Sequence, residues 1–276
     1  MKIRSAARPG ETGAAENTFI AVDELENRLG SCTVEEFDRG ETMPGRSYEL
    51  RISTEGEESA VRQLLGTALT RALILAKEKG VSARIFAECA PDDEQKLEML
   101  SAIGLIDDDA LVRMSLNVVP GGSISPLPKD CVYIEDDLSD PRERKFFLER
   151  QEKLFSRENA EEWMQRLSRK YGMKRMLLTT REGLAGELVC WIEKGHGIIG
   201  MIYTAPRWRR KGVALHLMEC ARQYFYSMRV RESHVDLRIR QTALVRLAAS
   251  AGYRQSRVLK RLPGMNLDAP KKQKLY

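Results

Sequence analysis

The residues best suited to chemistry stand in one short run, Arg207-Trp208-Arg209-Arg210-Lys211-Gly212-Val213-Ala214. Three consecutive cations, Arg209 to Lys211, lead into Gly212 and Ala214, which carry no side chain or a single methyl. The apolar segment before the run, residues 197–204, reads as a strand. The segment after it, from Val213 to about Met228, has the period of an amphipathic helix. The run therefore sits at a helix N-terminus, where free backbone N–H groups and the positive end of the helix dipole face outward. With small residues there, a polyanion can approach the backbone closely. The chemistry this suits is capture of a pyrophosphate or a similar group. A basic turn capping an ordinary helix would account for the charge, but less well for strand, loop and helix fitting as a unit.

Pro206 followed by Arg209-x-x-Gly212-x-Ala214 resembles the acyl-CoA loop of the GNAT acetyltransferase superfamily. That family's core is Gln/Arg-x-x-Gly-x-Gly/Ala, usually with a proline three residues earlier. The resemblance extends to element order. Residues 130–263 read as strand, two helices, three strands, helix, strand, helix, strand, the order of the GNAT fold. It implies an α/β (α+β) class, a mixed and mostly antiparallel sheet flanked by helices. It also implies acetyl-CoA as co-substrate and an amine, unidentified, as acceptor. The backbone of Arg209, Arg210, Lys211, Gly212, Val213 and Ala214 would hold the pyrophosphate. The acyl-pantetheine arm would lie along Ile202, Tyr203 and Thr204, the edge of the fourth strand of the fold. Gln241 stands where the family commonly has a CoA-contacting Asn. Ala248 stands where it commonly has the Tyr that protonates the leaving thiolate, and Ala donates no proton. The two functions the resemblance allows are N-acetyl transfer by direct attack and acyl-CoA binding without turnover, as in a sensor or scaffold.

A general base is harder to read. Glu187 and Glu193 share a face of one strand if alternation holds, and Tyr203 lies on the next. Glu187 and Tyr203 are the catalytic candidates, because a carboxylate in an apolar cleft acquires the raised pKa that a base needs. For either Glu, an ordinary polar strand position is the commoner case. Trp191 and Trp208 are candidates for shaping the cleft.

Positioning these residues requires a full domain, and the first half of the chain reads as a second one. Residues 1–6, 18–22, 31–37 and 47–53 are strand candidates. A long helix closed by Gly80 follows, then a strand at 83–89, a helix ended by Gly104, and a strand at 110–118. From Leu65 to Gly104 is 39 residues, as it is from Val213 to Gly252. In place of the basic loop the first half has Thr54-Glu55-Gly56-Glu57-Glu58-Ser59, three carboxylates that would repel a pyrophosphate. The expected layout is a degenerate GNAT-like domain at 1–118, a Pro/Gly-rich linker at 119–129, a GNAT domain at 130–264, and a flexible tail at 265–276.

In the second half, Asp140-Pro141 and Asn159-x-x-Glu162 read as helix starts. Residues 174–180, 186–194 and 197–204 form a meander, 234–240 a strand, 242–252 a helix, and 253–262 a last strand.

Composition narrows the function classes. No stretch approaches the roughly 18 apolar residues of a membrane span, and no apolar segment of the signal-peptide kind opens the chain. The five scattered cysteines imply reduced thiols and a cytoplasmic setting. His196, His216 and His234 form no ligand cluster in the sequence, so no metal is expected. Residues 1–125 carry a net charge of −8 and residues 126–276 one of +13. The basic half suits the phosphates of CoA. It has little aromatic interleaving, which argues against nucleic acid as partner. A homodimer is compatible with the structural role expected of the first half.

Overall fold

A computed structural model describes residues 1–6, 15–39, 47–120, 124–155 and 159–269. The strands are β1 (Lys2–Ser5), β2 (Thr18–Val22), β3 (Arg28–Asp38), β4 (Tyr48–Gly56), β5 (Ala83–Ala87), β6 (Ala110–Asn117), β7 (Val132–Asp136), β8 (Lys174–Thr180), β9 (Gly183–Glu193), β10 (His196–Thr204), β11 (Glu232–Arg238), β12 (Arg254–Arg261) and β13 (Gly264–Leu267). The helices are α1 (Glu58–Lys79), α2 (Glu94–Ala102), α3 (Pro141–Phe155), α4 (Ala160–Ser168), α5 (Val213–Ser227) and α6 (Thr242–Ser250). No helix among the described residues is long and apolar enough to cross a membrane.

The chain forms two compact units. The first has the sheet order β1-β2-β3-β4-β5-β13. Its strands β1 to β4 are antiparallel neighbours, β4 and β5 run parallel, and β13 lies antiparallel to β5. Helix α1 covers this sheet because Ala60, Leu64, Leu65, Ala68, Ala72, Leu75 and Ala76 recur at three- and four-residue spacing and are buried. Its alanines let the helix axis come close to β3 and β4. Gly80 ends it in the left-handed conformation (φ 65°), its N–H meeting the carbonyls of Ala76 and Lys77.

The second unit has the order β12-β6-β11-β10-β9-β8-β7. Here too four consecutive strands, β7 to β10, are antiparallel neighbours, β10 and β11 run parallel, and an antiparallel strand, β6, lies beyond. The two sheets repeat one topology. Gly104 after α2 and Gly252 after α6 repeat its detail, with φ of 89° and 95°. Helix α5 packs on one face of the second sheet. Gly197 makes this possible, since a Cβ there would stand 2.6 Å from the Phe225 ring.

Four expectations from sequence need revision. The units do not divide at residues 119–129: β6, read as the last strand of the first domain, pairs along its length with β11 of the second. Residues 264–267, placed at the end of the second domain and in the tail, pair with β5 of the first as β13. The reason is that β5 and β11 each need an antiparallel neighbour on their outer edge, and each takes it from the strand that follows the other unit's last elements. Asn159 precedes α4 as expected but has φ 57° and makes no side-chain cap. The strand expected at 234–240 runs instead from Glu232 to Arg238, because Gln241 turns the chain by accepting the Arg238 N–H. Parts of the expected loop at 38–46, of the linker (121–123) and of the tail (270–276) lie outside the described residues.

Candidate functional site

The second unit's sheet is closed at one end of β10 and β11 and open at the other. The parallel pairs are Gly197 with Ser233, Ile198 with His234 and Ile199 with Val235. Beyond them β10 continues to Thr204, held on its other side by β9 through Met201, Ile202, Tyr203 and Thr204, with no further partner in β11. Strand β11 turns its own continuation to β6. A register shift in the β10–β9 ladder between Ile199 and Met201 marks a bulge at Gly200, and a bulge bends the strand that carries it. Trp191 lies over this glycine so closely that a Cβ would come within 1.8 Å of the indole. The β10–β11 ladder therefore opens as a wedge after Ile199 and Val235, and Ile202, Tyr203 and Thr204 lie on β10 beyond the last pair.

The loop follows directly. After Thr204 come Ala205, a single 3₁₀ turn (Pro206–Trp208), and Arg209 to Gly212 before α5. Arg210 and Gly212 both take left-handed conformations, φ 62° and 83°. Alternation of this kind turns successive backbone N–H groups toward one side, the geometry of an anion-binding nest. A Cβ on Gly212 would meet nothing within 4 Å, so the glycine is required by backbone conformation and lies beside open space. It is the N-cap of α5 and supplies no side-chain cap. The first described acceptor contact in the helix is His216 N–H to the Gly212 carbonyl, which leaves the N–H groups of Val213 and Ala214 outward. Arg209, Arg210 and Lys211 are exposed, and the Lys211 ammonium stands 4.9 Å from the Trp208 ring centroid. The small-residue rule extends to β9: a Cβ on Gly186 would come within 2.4 Å of Val213 Cγ1, so Gly186 lets the first turn of α5 settle on the sheet.

At the corresponding place in the first unit there is no loop. Strand β4 runs to Gly56, α1 begins at Glu58, and Glu57 alone lies between. The Glu57 N–H is taken by the Leu29 carbonyl, and Glu55 is held by Arg28 and Ser31. The β4–β5 pairing also runs through five residues, Tyr48 to Ile52, against three in β10–β11.

The remaining candidates are placed as follows. Glu187 is 1 % exposed, lies opposite Tyr203 in the ladder, and is bound by the guanidiniums of Arg175 and, at 3.3 Å, Arg150. Burial alone would lower the Arg175 pKa; the charge and hydrogen bonds of Glu187, with Asp136 and Glu143, outweigh it and raise it. Glu187 thus sits in a buried ion-pair network rather than in an apolar cleft. Glu193 is exposed and paired with Lys170, and the hydrogen bond from that ammonium holds its carboxyl below the usual range. Gln241 is the N-cap residue of α6, its side-chain oxygen 3.3 Å from the Arg238 N–H. Ala248 is buried, 1 % exposed, on the inner side of α6.

Two groups of residues escape sequence reasoning. Gln151 of α3 is fully buried beside β10, its Nε2 3.0 Å from Met201 Sδ and its Oε1 without a partner among the described residues. The histidines, which form no cluster along the sequence, do so in space. His196 and His234 lie 3.1 Å apart between Nδ1 and Nε2, with Glu232 beside both. Burial, reinforced by Arg113, lowers the His234 pKa. The parallel register of β10 and β11 brings these three together, and no sequence spacing announces it. His216 is separate: its Nδ1 is 2.8 Å from the Ser125 carbonyl and fastens the preceding segment to α5.

Comparison with known proteins agrees with the topology. The ESCO1/2 acetyl-transferase family model matches residues 197–238, the span of β10, loop, α5 and β11. No curated protein matches the sequence. Among solved structures, a GCN5-related N-acetyltransferase from Sphaerobacter thermophilus is similar at 14% identity with a TM-score of 0.54, over 91% of this chain and 82% of that one. A protein of unknown function from Enterococcus faecalis V583, described as a probable N-acyltransferase, is similar at 12% identity with a TM-score of 0.57, over 91% of this chain and 62% of that one. On its strand order, its parting parallel pair and these likenesses, the chain has the fold of the GNAT acetyltransferase superfamily, built twice in tandem.

Proposed function

We propose that the second unit is an N-acetyltransferase that binds acetyl-CoA and transfers its acetyl group to an amine. The observation that carries this reading is the end of the β10–β11 pairing after Ile199 and Val235, beyond which β10 runs straight into the glycine-bearing loop. Backbone N–H groups of the 209–214 loop hold the pyrophosphate, with Arg209, Arg210 and Lys211 adding charge. The edge at Ile202, Tyr203 and Thr204 pairs with the amide groups of the pantetheine arm, as a strand neighbour would. A β10 N–H stabilises the oxyanion. The neutral amine attacks the thioester carbonyl, a C–N bond forms, the C–S bond breaks and the thiolate leaves, and the nitrogen gives up its proton to water. Titration calorimetry with acetyl-CoA tests the binding half. The wild type binds one equivalent per chain, and Arg209→Glu weakens it. Equal affinity in both, or two equivalents, would sink the assignment of the loop.

Two observations favour a second reading, binding without turnover. Ala248 supplies no acid, and Glu187, which sequence marks as a base, is committed to Arg175 and Arg150. Release of free thiol on addition of a broad amine panel separates the two. Turnover supports transfer; saturable binding without release supports a sensor or scaffold. General acid–base assistance is worth about 10²- to 10⁴-fold, so a slow but saturable rate is the expected outcome for transfer.

A further inference from the structure

We infer that His196, Glu232 and His234 form a binding site for a zinc-class divalent cation. The argument is geometric. In a tetrahedral site with metal–ligand bonds of about 2.0–2.1 Å, neighbouring ligand atoms stand roughly 3.3–3.4 Å apart. Here His196 Nδ1 and His234 Nε2 are 3.1 Å apart; His196 Nδ1 is 3.6 Å from Glu232 Oε2, and His234 Nε2 is 3.6 Å from the other oxygen, Oε1. Taking one ligand atom from each residue, the three lie within 4.8 Å of one another, a cluster that one ion can draw together. At 3.6 Å neither carboxylate contact is a hydrogen bond. The carboxylate stands off both rings at a distance that suits two ligands sharing one ion. Two imidazoles and a carboxylate are the donor set favoured by zinc and by its neighbours in the first transition row. His196 and Glu232 are partly exposed, so the fourth position is open to solvent.

The backbone holds this geometry without a metal. His196 and Glu232 each stand one residue before the first parallel pair, Gly197 with Ser233, and His234 lies within the paired segment. The nearby Arg113, which would oppose a cation, is neutralised by two hydrogen bonds to Asp236 at 2.7 and 2.8 Å. A cation here would clamp β10 to β11 at the end opposite the wedge.

The supporting shell limits the affinity. Nδ1 of His234 is buried with no partner among the described residues. Ligation through Nε2 leaves the proton on that Nδ1 without an acceptor. A missing outer partner of this kind weakens a site about 10- to 100-fold, so the affinity expected is modest.

The test uses the full chain freed of metal with a chelator, titrated with zinc chloride by calorimetry and with cobalt(II) by visible absorption. The wild type takes up one equivalent, shows the intense d–d bands of tetrahedral cobalt, and melts at a higher temperature with zinc than without. His196→Asn and Glu232→Gln each lose at least about 10-fold in affinity, while their metal-free melts match the wild type. Absence of saturable binding in the wild type overturns the site. So does unchanged affinity in either variant, which would place the ion on other residues such as the thiols.

Discussion

Gly186 and Val213 are in such close contact that a side chain on the first would displace the second: a Cβ on Gly186 would stand 2.4 Å from Val213 Cγ1 and 3.2 Å from Leu217 Cδ1. Strand β9 therefore sets the height at which α5 begins, and with it the position of the loop N–H groups. Gly186→Ala should cost about 1–3 kcal/mol, the usual penalty of overpacking, and should weaken acetyl-CoA binding with no loss of charge at the loop. Urea unfolding and titration calorimetry on one preparation check both.

Gly212 poses the opposite case. Space around it is open, and only its φ of 83° demands glycine. Gly212→Ala should cost about 1–2 kcal/mol, the penalty of a left-handed L-residue. It should also reduce affinity for CoA more than Lys211→Ala does, because it alters the backbone that meets the phosphates. An affinity order with Lys211→Ala the weaker binder would count against a backbone-held pyrophosphate.

The buried network of Arg175, Glu187 and Arg150 should behave as structure. Arg175→Met leaves the carboxylate of Glu187, 1 % exposed, with Arg150 as its remaining charge partner. A loss of roughly 3–5 kcal/mol is expected for breaking such a pair. Glu187→Gln should lower stability and leave any thiol release largely intact. A collapse of turnover with unchanged stability would return Glu187 to the role of base.

Glu135 gives a pH signature. A hydrogen bond from Lys174, aided by Tyr133, holds its carboxyl below the ordinary value of 4.5. A depressed folded pKa contributes stability above the unfolded pKa, and that stability is lost as pH falls through the folded one. Glu135→Gln should therefore destabilise the protein at neutral pH, and the difference from wild type should shrink as pH drops below the carboxylate range. Urea midpoints measured at about pH 7 and about pH 3 give the comparison.

Strand β13 should matter far from where it lies in sequence. Arg84, 1 % exposed, donates to Asp108 at 2.6 Å and to the Leu262 carbonyl at 3.0 Å, and a Cβ on Gly264 would stand 2.6 Å from the Ile85 carbonyl. Removing residues 264–276 should leave β5 with an open edge. Amide exchange of Ala83–Ala87 should then rise sharply while that of Ala185–Ile192 is preserved.

Much of this protein could be read from its sequence, and for local reasons. Element identities follow from periodicity and from stop signals such as Gly80, Gly104 and Gly252, which act on their immediate neighbours. The loop at 209–214 is legible because helix N-terminus, glycine and cations are contiguous. The first unit's lack of a loop is legible from Glu55, Glu57 and Glu58, although the structure gives a stronger reason, the single residue, Glu57, that joins β4 to α1.

What the tertiary structure alone decided is long-range. Alternation says that a strand has two faces, but it does not say which sheet the strand joins. Residues 110–117 and 264–267 satisfy their hydrogen bonds against β11 and β5 because each of those strands has an open edge to fill. Glu187 looks like a base in one dimension and becomes an ion-pair partner once Arg175 and Arg150 fold over it. His196, Glu232 and His234 meet only through the parallel register of β10 and β11. A side chain's type and neighbours in sequence set its chemistry; the register of distant strands sets what that chemistry acts upon.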